Sequence, residues 1–350
     1  MSSGNEFGIV FLGVGHPHAG PWARAVGAIP GVRLLGAYDP DRPLGEAFAR
    51  QHGGSWVEPE AAARPEVAAV VVDGRNDQVA ELTLAALGHG KPVLLEKPGG
   101  MNAGELARIE AKARRAGLVV QIGYFLRYAD SIAEAKRALA AGELGTVSLA
   151  RIHAAMPRRA WGETADWFRD PTNIVGIFQE DACHIVDIAF HLFGEPNGVS
   201  ALRAVGAFEA SMREDALVAT LDYGTFLVTL DFTAQEANPW VENWSVEIYG
   251  TSATLRAGVR PSWMERFDEG GFWRTSDGAR PATREDYLDR GPAADVEHYR
   301  RGAAAFVAAV RGEVPSPIDA TTGLAVFRGV EAIYEAAERR AYVEFPGGEQ

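Results

Sequence analysis

The sequence predicts an α/β protein in two parts: a parallel sheet covered by helices, then an α+β part with an open, mostly antiparallel sheet. Three observations carry this. Apolar strand-like runs alternate with helix-like segments through the first 126 residues, the pattern of strands buried on both faces. The first run empties into a glycine-containing turn ahead of a helix. In the second half strand candidates follow one another, with Gly224 and Gly250 where hairpin turns are needed.

Taken in order, Gly8–Leu12 is a short apolar strand, Pro21–Ile29 a helix, and Val32–Tyr38 the next strand. Leu44–His52 is helical, Ala68–Val72 a buried strand, Gln78–Gly88 a helix and Pro92–Leu95 a strand. Ala103–Ala116 is an Ala- and Arg-rich helix before a fifth strand, Leu118–Ile122. Beyond it, Ser131–Ala141 reads as helix. Thr146–Ala154, Val199–Val205, Leu217–Tyr223, Thr225–Phe232, Trp244–Tyr249 and Ala253–Arg256 read as strands. Arg266–Pro292, rich in Gly, Asp and Arg, is expected to be loop, with helices at Ala294–Arg311 and Leu324–Arg340. The expected domains are residues 1–126 and 127–350.

With 350 residues, 47% hydrophobic and 23% charged, the chain can bury large cores without cross-links. Its net charge of −13 repels phosphate backbones and anionic lipid, so neither nucleic acid nor membrane is an expected partner. No apolar stretch approaches the length of a membrane-spanning helix. Met1–Phe7 lacks the charged start and apolar run of a signal peptide. The single cysteine, Cys183, cannot form an internal disulfide, so a cytoplasmic location is expected.

Strand Ile9–Leu12 runs into Gly13-Val14-Gly15-His16-Pro17-His18. These are the first two glycines of a Rossmann G-x-G-x-x-G turn. Gly13 permits the tight turn, and Gly15 lets backbone approach a pyrophosphate at a helix N-terminus. His18 stands where the third glycine is usual. Asp39 ends the second strand, 24 residues after Gly15. An acid there accepts hydrogen bonds from ribose hydroxyls and repels a 2′-phosphate, so NAD is the expected cofactor. Nearby Arg42 keeps NADP possible. Strand, turn, helix and acid in this order outweigh the plainer reading of a Gly-rich turn with a solvent-facing Asp.

The strand Val93–Leu95 ends in Glu96-Lys97-Pro98, which aims a lysine at the crevice where open α/β sheets bind ligands. Gly13-x-Gly15, Asp39, the run from Gly90 through Glu96-Lys97-Pro98, and a later helix together resemble the glucose–fructose oxidoreductase/inositol dehydrogenase/MocA family. The resemblance implies a Rossmann domain paired with an α/β domain on an open antiparallel sheet. It implies oxidation or reduction of sugars, cyclitols and related polyols, with Lys97 touching the substrate hydroxyl and the nicotinamide. It also implies that the antiparallel sheet packs on a second subunit, giving a homodimer or homotetramer. The family's Thr-Pro-Asn-x-x-His segment falls on Gly74-Arg75-Asn76-Asp77-Gln78-Val79, where only Asn76 matches. The cofactor-binding candidates are Gly13, Gly15, His16, His18, Asp39, Asn76, Glu96 and Lys97.

In Phe178–Phe193, Glu180, His184, Asp187 and His191 are spaced 4, 3 and 4 apart, which places them on one face of a helix otherwise apolar. The family pattern there is Asp-x-Gly-x-His-x-x-Asp, so Glu180 takes the first acid's place and His184 the histidine's. Asp187 and His191 are read as a hydrogen-bonded structural seam. A metal held by Glu180, His184 and His191 is weighed and not expected. His184 is the expected base, Lys97 the group that stabilises the developing alkoxide, and Glu180 a substrate ligand or an orienting group for His184. Further substrate contacts are expected from Tyr124, Arg127, His153, Arg158, Trp161, Trp167 and Asn173. Two other readings remain open: an enzyme that cleaves or eliminates glycosides through transient oxidation by NAD, and a non-catalytic sugar or nucleotide sensor.

Overall fold

The computed structural model describes residues 7–157, 170–205, 213–238, 242–274 and 280–345. Arg158, Trp161 and Trp167 lie outside them. Two compact units divide the chain: Met1–Phe125 with Tyr299–Leu324, and Leu126–His298 with Ala325–Gln350. The sequence alone places one cut after residue 126; the division also returns Tyr299–Leu324 to the first unit.

The first unit holds β1 (Phe7–Leu12), β2 (Val32–Tyr38), β3 (Ser55–Trp56), β4 (Val67–Val72), β5 (Val93–Leu95) and β6 (Val120–Ile122). They form one sheet in the order β3-β2-β1-β4-β5-β6, with every pairing parallel. Helices α1 (Ala19–Gly27), α2 (Arg42–Gln51), α3 (Asn76–Gly88) and α4 (Ala103–Ala116) are the crossovers. The winding reverses between β1 and β4, which opens a crevice beyond the carboxyl ends of these strands. β1, β5 and β6 are buried along their whole length. Each large apolar side chain there stabilises the fold by about 1.5–3 kcal/mol. Local chemistry sets the helix ends. The Asn102 carboxamide accepts the Glu105 N–H at 3.0 Å, and Gly117, at φ 64°, ends the same helix. The returning segment is bound to β6: Ile122 N–H donates to Ile318 O at 2.8 Å, and the Gln121 amide donates to Gly302 O at 2.9 Å.

The second unit contains α5 (Asp130–Ala140), β7 (Val147–Ala155), α6 (Cys183–Phe193), β8 (Gly198–Ala204), β9 (Ala216–Asp222), β10 (Leu227–Thr233), β11 (Asn243–Gly250), β12 (Thr254–Val259), β13 (Ser262–Asp268), β14 (Gly271–Arg274) and β15 (Val343–Glu344). The sheet order is β14-β13-β12-β11-β7-β10-β9-β8-β15, and only β7 with β10 is parallel. Two long helices, α7 (Arg284–Val310) and α8 (Ala320–Arg339), supply residues to both units. Side chains alternate across the sheet. Ile152, Leu230, Val246 and Leu255 are buried on the face that α5 and α6 cover. Leu149, Leu202, Val218 and Leu227 are exposed. A Cβ on Gly329 of α8 would meet Phe190 Cζ at 2.8 Å, so glycine permits close approach to α6.

The fold class matches the sequence reading; two local expectations need correcting. Among its described residues, Arg266–Pro292 is not all loop. β13 and β14 form a tight hairpin there, and α7 begins at Arg284 and continues through Pro292. The strands escape notice because they lie at the sheet's edge and bury few apolar groups, and the proline reads as a helix start. Phe178–Phe193 is not one regular helix either. Phe178–Ala182 forms a π-helical turn ahead of α6, so Glu180 leaves the regular register of His184, Asp187 and His191. Among the described residues no helix is long and apolar enough to cross a membrane.

Candidate active site

In the first unit the predicted cofactor residues converge at the strand ends. Gly13 has φ 80°, and a Cβ on it would lie 2.8 Å from Gly74 Cα, so only glycine fits. Gly15 is different: a Cβ there would meet Asp39 Oδ2 no closer than 3.7 Å. The glycine leaves open the space beside the carboxylate, which suits the backbone of a dinucleotide. No side chain caps the first turn of α1. The Asp39 carboxylate accepts the Val14 N–H at 2.8 Å and the Asp41 N–H at 2.9 Å. Burial raises its pKa, with those amide donors opposing. Arg42 is held by Glu46 at 2.7 Å and lies over the Trp56 ring. Asn76 is buried at the start of α3. Donor set and cradle fit a dinucleotide with a free ribose 2′-hydroxyl.

The Glu-Lys-Pro strand end is built into the same unit. Lys97 is 2% exposed and Glu96 3%. Glu96 Oε1 accepts from His18 Nδ1 at 2.9 Å, and Oε2 from Trp22 Nε1 at 2.5 Å. The Lys97 ammonium stands 4.0 Å from Oε1. Burial pushes the Glu96 carboxyl up, but the charge and hydrogen bond of His18, with His16 and Lys97, outweigh it and hold it below its usual range. His16 accepts the His18 N–H on Nδ1 at 3.1 Å and donates its own N–H to Asp73 O at 3.1 Å. Burial and the Lys97 charge keep its imidazole well below the usual pKa. Tyr124, also in this unit, is fully buried. Among the described residues, His16, His18 and Glu96 bring three metal-ligand atoms within 4.8 Å of one another. Both Glu96 oxygens already accept hydrogen bonds, and the lysine ammonium opposes a second cation, so the group is a hydrogen-bonded network.

The second unit carries the other candidates. Glu180 and His184 are each 1% exposed, and the His184 ring packs edge-on against Trp244 at 5.9 Å. Arg127 does not stand alone as a substrate ligand. Its Nε donates to Asp187 Oδ2 at 3.1 Å and its Nη2 to Oδ1, a buried two-point pair. His191 is held at a pKa of about 3 by burial, then by Arg127 and Lys136. Lys136 donates to the last carbonyls of α6, at His191 and Leu192. Asn173 is fully buried. His153 is separated from His184. Trp244 pairs with Ala154 and Ser245 with His153, so His153 lies on the opposite sheet face. There it bonds Asp231, which also holds Arg151 at 2.7 Å, and lines a polar cleft of about 540 Å³.

Sequence reasoning missed three contributors. Trp22 lies four residues after His18, a helical spacing that was legible. Tyr299 stacks on Phe125 at 4.3 Å, edge-on to His18 at 5.7 Å, and no local signal marks it. Glu214 accepts the Phe178 N–H at 2.7 Å and the Tyr334 hydroxyl at 2.9 Å, anchoring the π-turn that carries Glu180.

A parallel sheet with a glycine turn at its switch point, and an open mixed sheet in the second unit, define a two-unit α/β protein of the Rossmann class. Residues 7–124 match the model of an oxidoreductase family with an NAD-binding Rossmann fold. Residues 132–256 match the GFO/IDH/MocA C-terminal domain. The chain belongs to the GFO/IDH/MocA family. The scyllo-inositol 2-dehydrogenase (NAD(+)) of Bacillus subtilis is 28% identical over 188 residues, 52% of this chain and 51% of that protein. The matched stretch spans about half the length of the curated relatives. An oxidoreductase from Agrobacterium radiobacter, solved with NAD+, L-tartaric acid and magnesium, superposes with a TM-score of 0.84 at 16% identity, over 97% of this chain and 98% of that one. An inositol dehydrogenase homolog from Azotobacter vinelandii, complexed with NAD+, gives 0.82 at 20% identity, over 97% of each chain.

Proposed function

We propose that this chain is an NAD-dependent dehydrogenase that interconverts a secondary alcohol and a ketone on a sugar, cyclitol or related polyol. The observation that carries the reading is Lys97: a buried ammonium at the end of β5, in the same unit as the glycine turn and Asp39. The likeness to a protein named scyllo-inositol 2-dehydrogenase supports the substrate class. NAD, when bound, supplies the hydride acceptor. The chain's own residues do the rest. Asp39 selects the unphosphorylated ribose, and Gly13 and Gly15 shape the turn for the pyrophosphate. Lys97 donates to the substrate oxygen as negative charge develops on it. On the second unit, His184 exchanges the hydroxyl proton, a task for which imidazole is suited near neutral pH, and Glu180 holds a neighbouring hydroxyl or His184 itself. We place self-association, as a homodimer or homotetramer, on the exposed face of the nine-stranded sheet, and the protein in the cytoplasm.

The test is a panel of inositols, sugars and polyols offered with NAD and NADP separately, following absorbance of the reduced cofactor. Turnover with NAD is expected, and Lys97→Met should lower kcat/KM about a thousandfold, or ~4 kcal/mol. Turnover only with NADP overturns the role of Asp39. No turnover with any member overturns the reading.

A further inference from the structure

The π-turn that carries Glu180 is held from outside its own stretch of chain. The first amides of a helix have no acceptor within it, and Ile177, just ahead of the turn, offers no capping oxygen. A distant pair accepts two of these amides in succession. The Phe178 N–H donates to Glu214 Oε1 at 2.7 Å, and the Gln179 N–H donates to the Tyr334 hydroxyl at 3.1 Å. That hydroxyl in turn donates to Glu214 Oε1 at 2.9 Å. One carboxyl oxygen therefore fixes both amides, one directly and one through the phenol. The next amide, the Glu180 N–H, donates to Gly176 O at 3.0 Å. Glycine at 176 makes room for the pair: a Cβ there would lie 2.3 Å from the Tyr334 hydroxyl oxygen and 2.8 Å from Glu214 Oε1. Glu214, just ahead of β9, and Tyr334, on α8, are both buried. The Tyr334 ring is fixed in its turn, with the Arg213 guanidinium over it at 4.1 Å and Phe178 edge-on at 6.0 Å. All of these residues belong to the second unit.

We propose that Glu214 and Tyr334 are positioning residues that brace the π-turn through two backbone amides and so place the Glu180 carboxylate. This rests on the reading of Glu180 as a substrate ligand or an orienting group for His184, but the brace itself is testable without it. A π-turn is rare and recurs at functional sites, so its bearing has to be set by tertiary contacts. A carboxyl oxygen suits the task, because it keeps acceptor capacity in either protonation state. A misplacement of about 1 Å can cost on the order of a hundredfold in rate, which gives a turn without a local cap a use for such a brace.

Amide hydrogen exchange of the full chain, with no substrate present, tests the brace. Tyr334→Phe keeps the ring and removes the hydroxyl, and should speed exchange of the Gln179 amide at least about tenfold while residues 186–192 of α6 keep their rates. Glu214→Ala should speed Phe178 as well. Turnover with NAD and the polyol that the panel yields tests the placement of Glu180. Tyr334→Phe should lower kcat about tenfold while KM for NAD moves less than about twofold. In a Glu180→Ala background the same change should cost less than about twofold more, because its effect runs through Glu180. Glu214→Gln, which keeps an acceptor oxygen, should stay within about threefold of the parent. Unchanged Gln179 exchange in Tyr334→Phe overturns the brace, and that variant decides the matter if Glu214→Ala does not fold. Losses that multiply undiminished in the Glu180→Ala background overturn the positioning of Glu180. Parental turnover by Glu180→Ala overturns the reading of Glu180 instead and leaves the brace to stand or fall on the exchange.

Discussion

Two buried carboxylates, each next to a cation, are built in opposite ways. In the first unit Glu96 accepts from His18 and Trp22 and stays 4.0 Å from Lys97. In the second unit Asp187 grips Arg127 directly through both oxygens. The balance of forces differs accordingly. For Glu96 burial raises the pKa, but its interactions with His18 and Lys97 together outweigh burial and hold it below its usual range. For Asp187 burial is the larger influence and raises it, with Arg127 opposing. A two-point contact pair orders a helix and a loop relative to each other but leaves the cation little to offer a ligand. The lesson is that charge identity in a motif says less than whether the pair touches.

This contrast can be broken by mutation, most strongly at Asp187. Asp187→Ala leaves the Arg127 guanidinium buried without its carboxylate and should cost about 3–5 kcal/mol, measured by urea denaturation. A cost below about 1 kcal/mol would mean that the pair is not a structural tie.

Glu214 sharpens the comparison, because here burial prevails over the charges of Arg213 and Arg203. Its pKa is raised to about 7 by burial, with Phe178, Tyr334 and two arginines opposing. A carboxyl raised in the folded state binds its proton more tightly there than when unfolded. Its contribution is therefore complete below the unfolded value of 4.5 and lost as pH rises through about 7. Stability should fall across that window by an amount on the order of 2 kcal/mol that Glu214→Gln abolishes. Thermal denaturation at several pH values checks the sign, and a parental pH slope in the variant would assign it elsewhere.

The smallest effect is expected at His153. Its partner Asp231 is held down at about 2 by hydrogen bonds from His153 and Arg151, against the upward pull of burial. This is a half-exposed pair on the outer sheet face, so His153→Ala should change stability by about 1 kcal/mol or less and turnover less than about twofold. A tenfold loss of turnover would return His153 to the substrate site.

Much of this was legible before any coordinates. Strands Val67–Val72 and Val93–Leu95 announce themselves because both faces are covered, which forces unbroken apolar runs. Gly13 and Asp39 are legible because a tight turn demands glycine and the end of the second strand is a fixed place for an acid that accepts the Val14 N–H of that turn and the Asp41 N–H beside it. The hairpin of β13 and β14 was not, since edge strands bury too little to leave a pattern. The π-turn at Phe178–Ala182 was not, since it is imposed by Glu214 and Tyr334, far along the chain.

The sequence by itself determined the class of both sheets and the glycine turn, and it singled out Lys97 and His184 as candidates, because each depends on local periodicity or on a motif of fixed spacing. Only the tertiary structure decided which charges touch. It paired Arg127 with Asp187, turned His153 to the outer face and brought His18 and Trp22 onto Glu96. Those outcomes depend on strand register and on distances of a few ångströms between residues 60 to 78 positions apart, where no short-range pattern reaches.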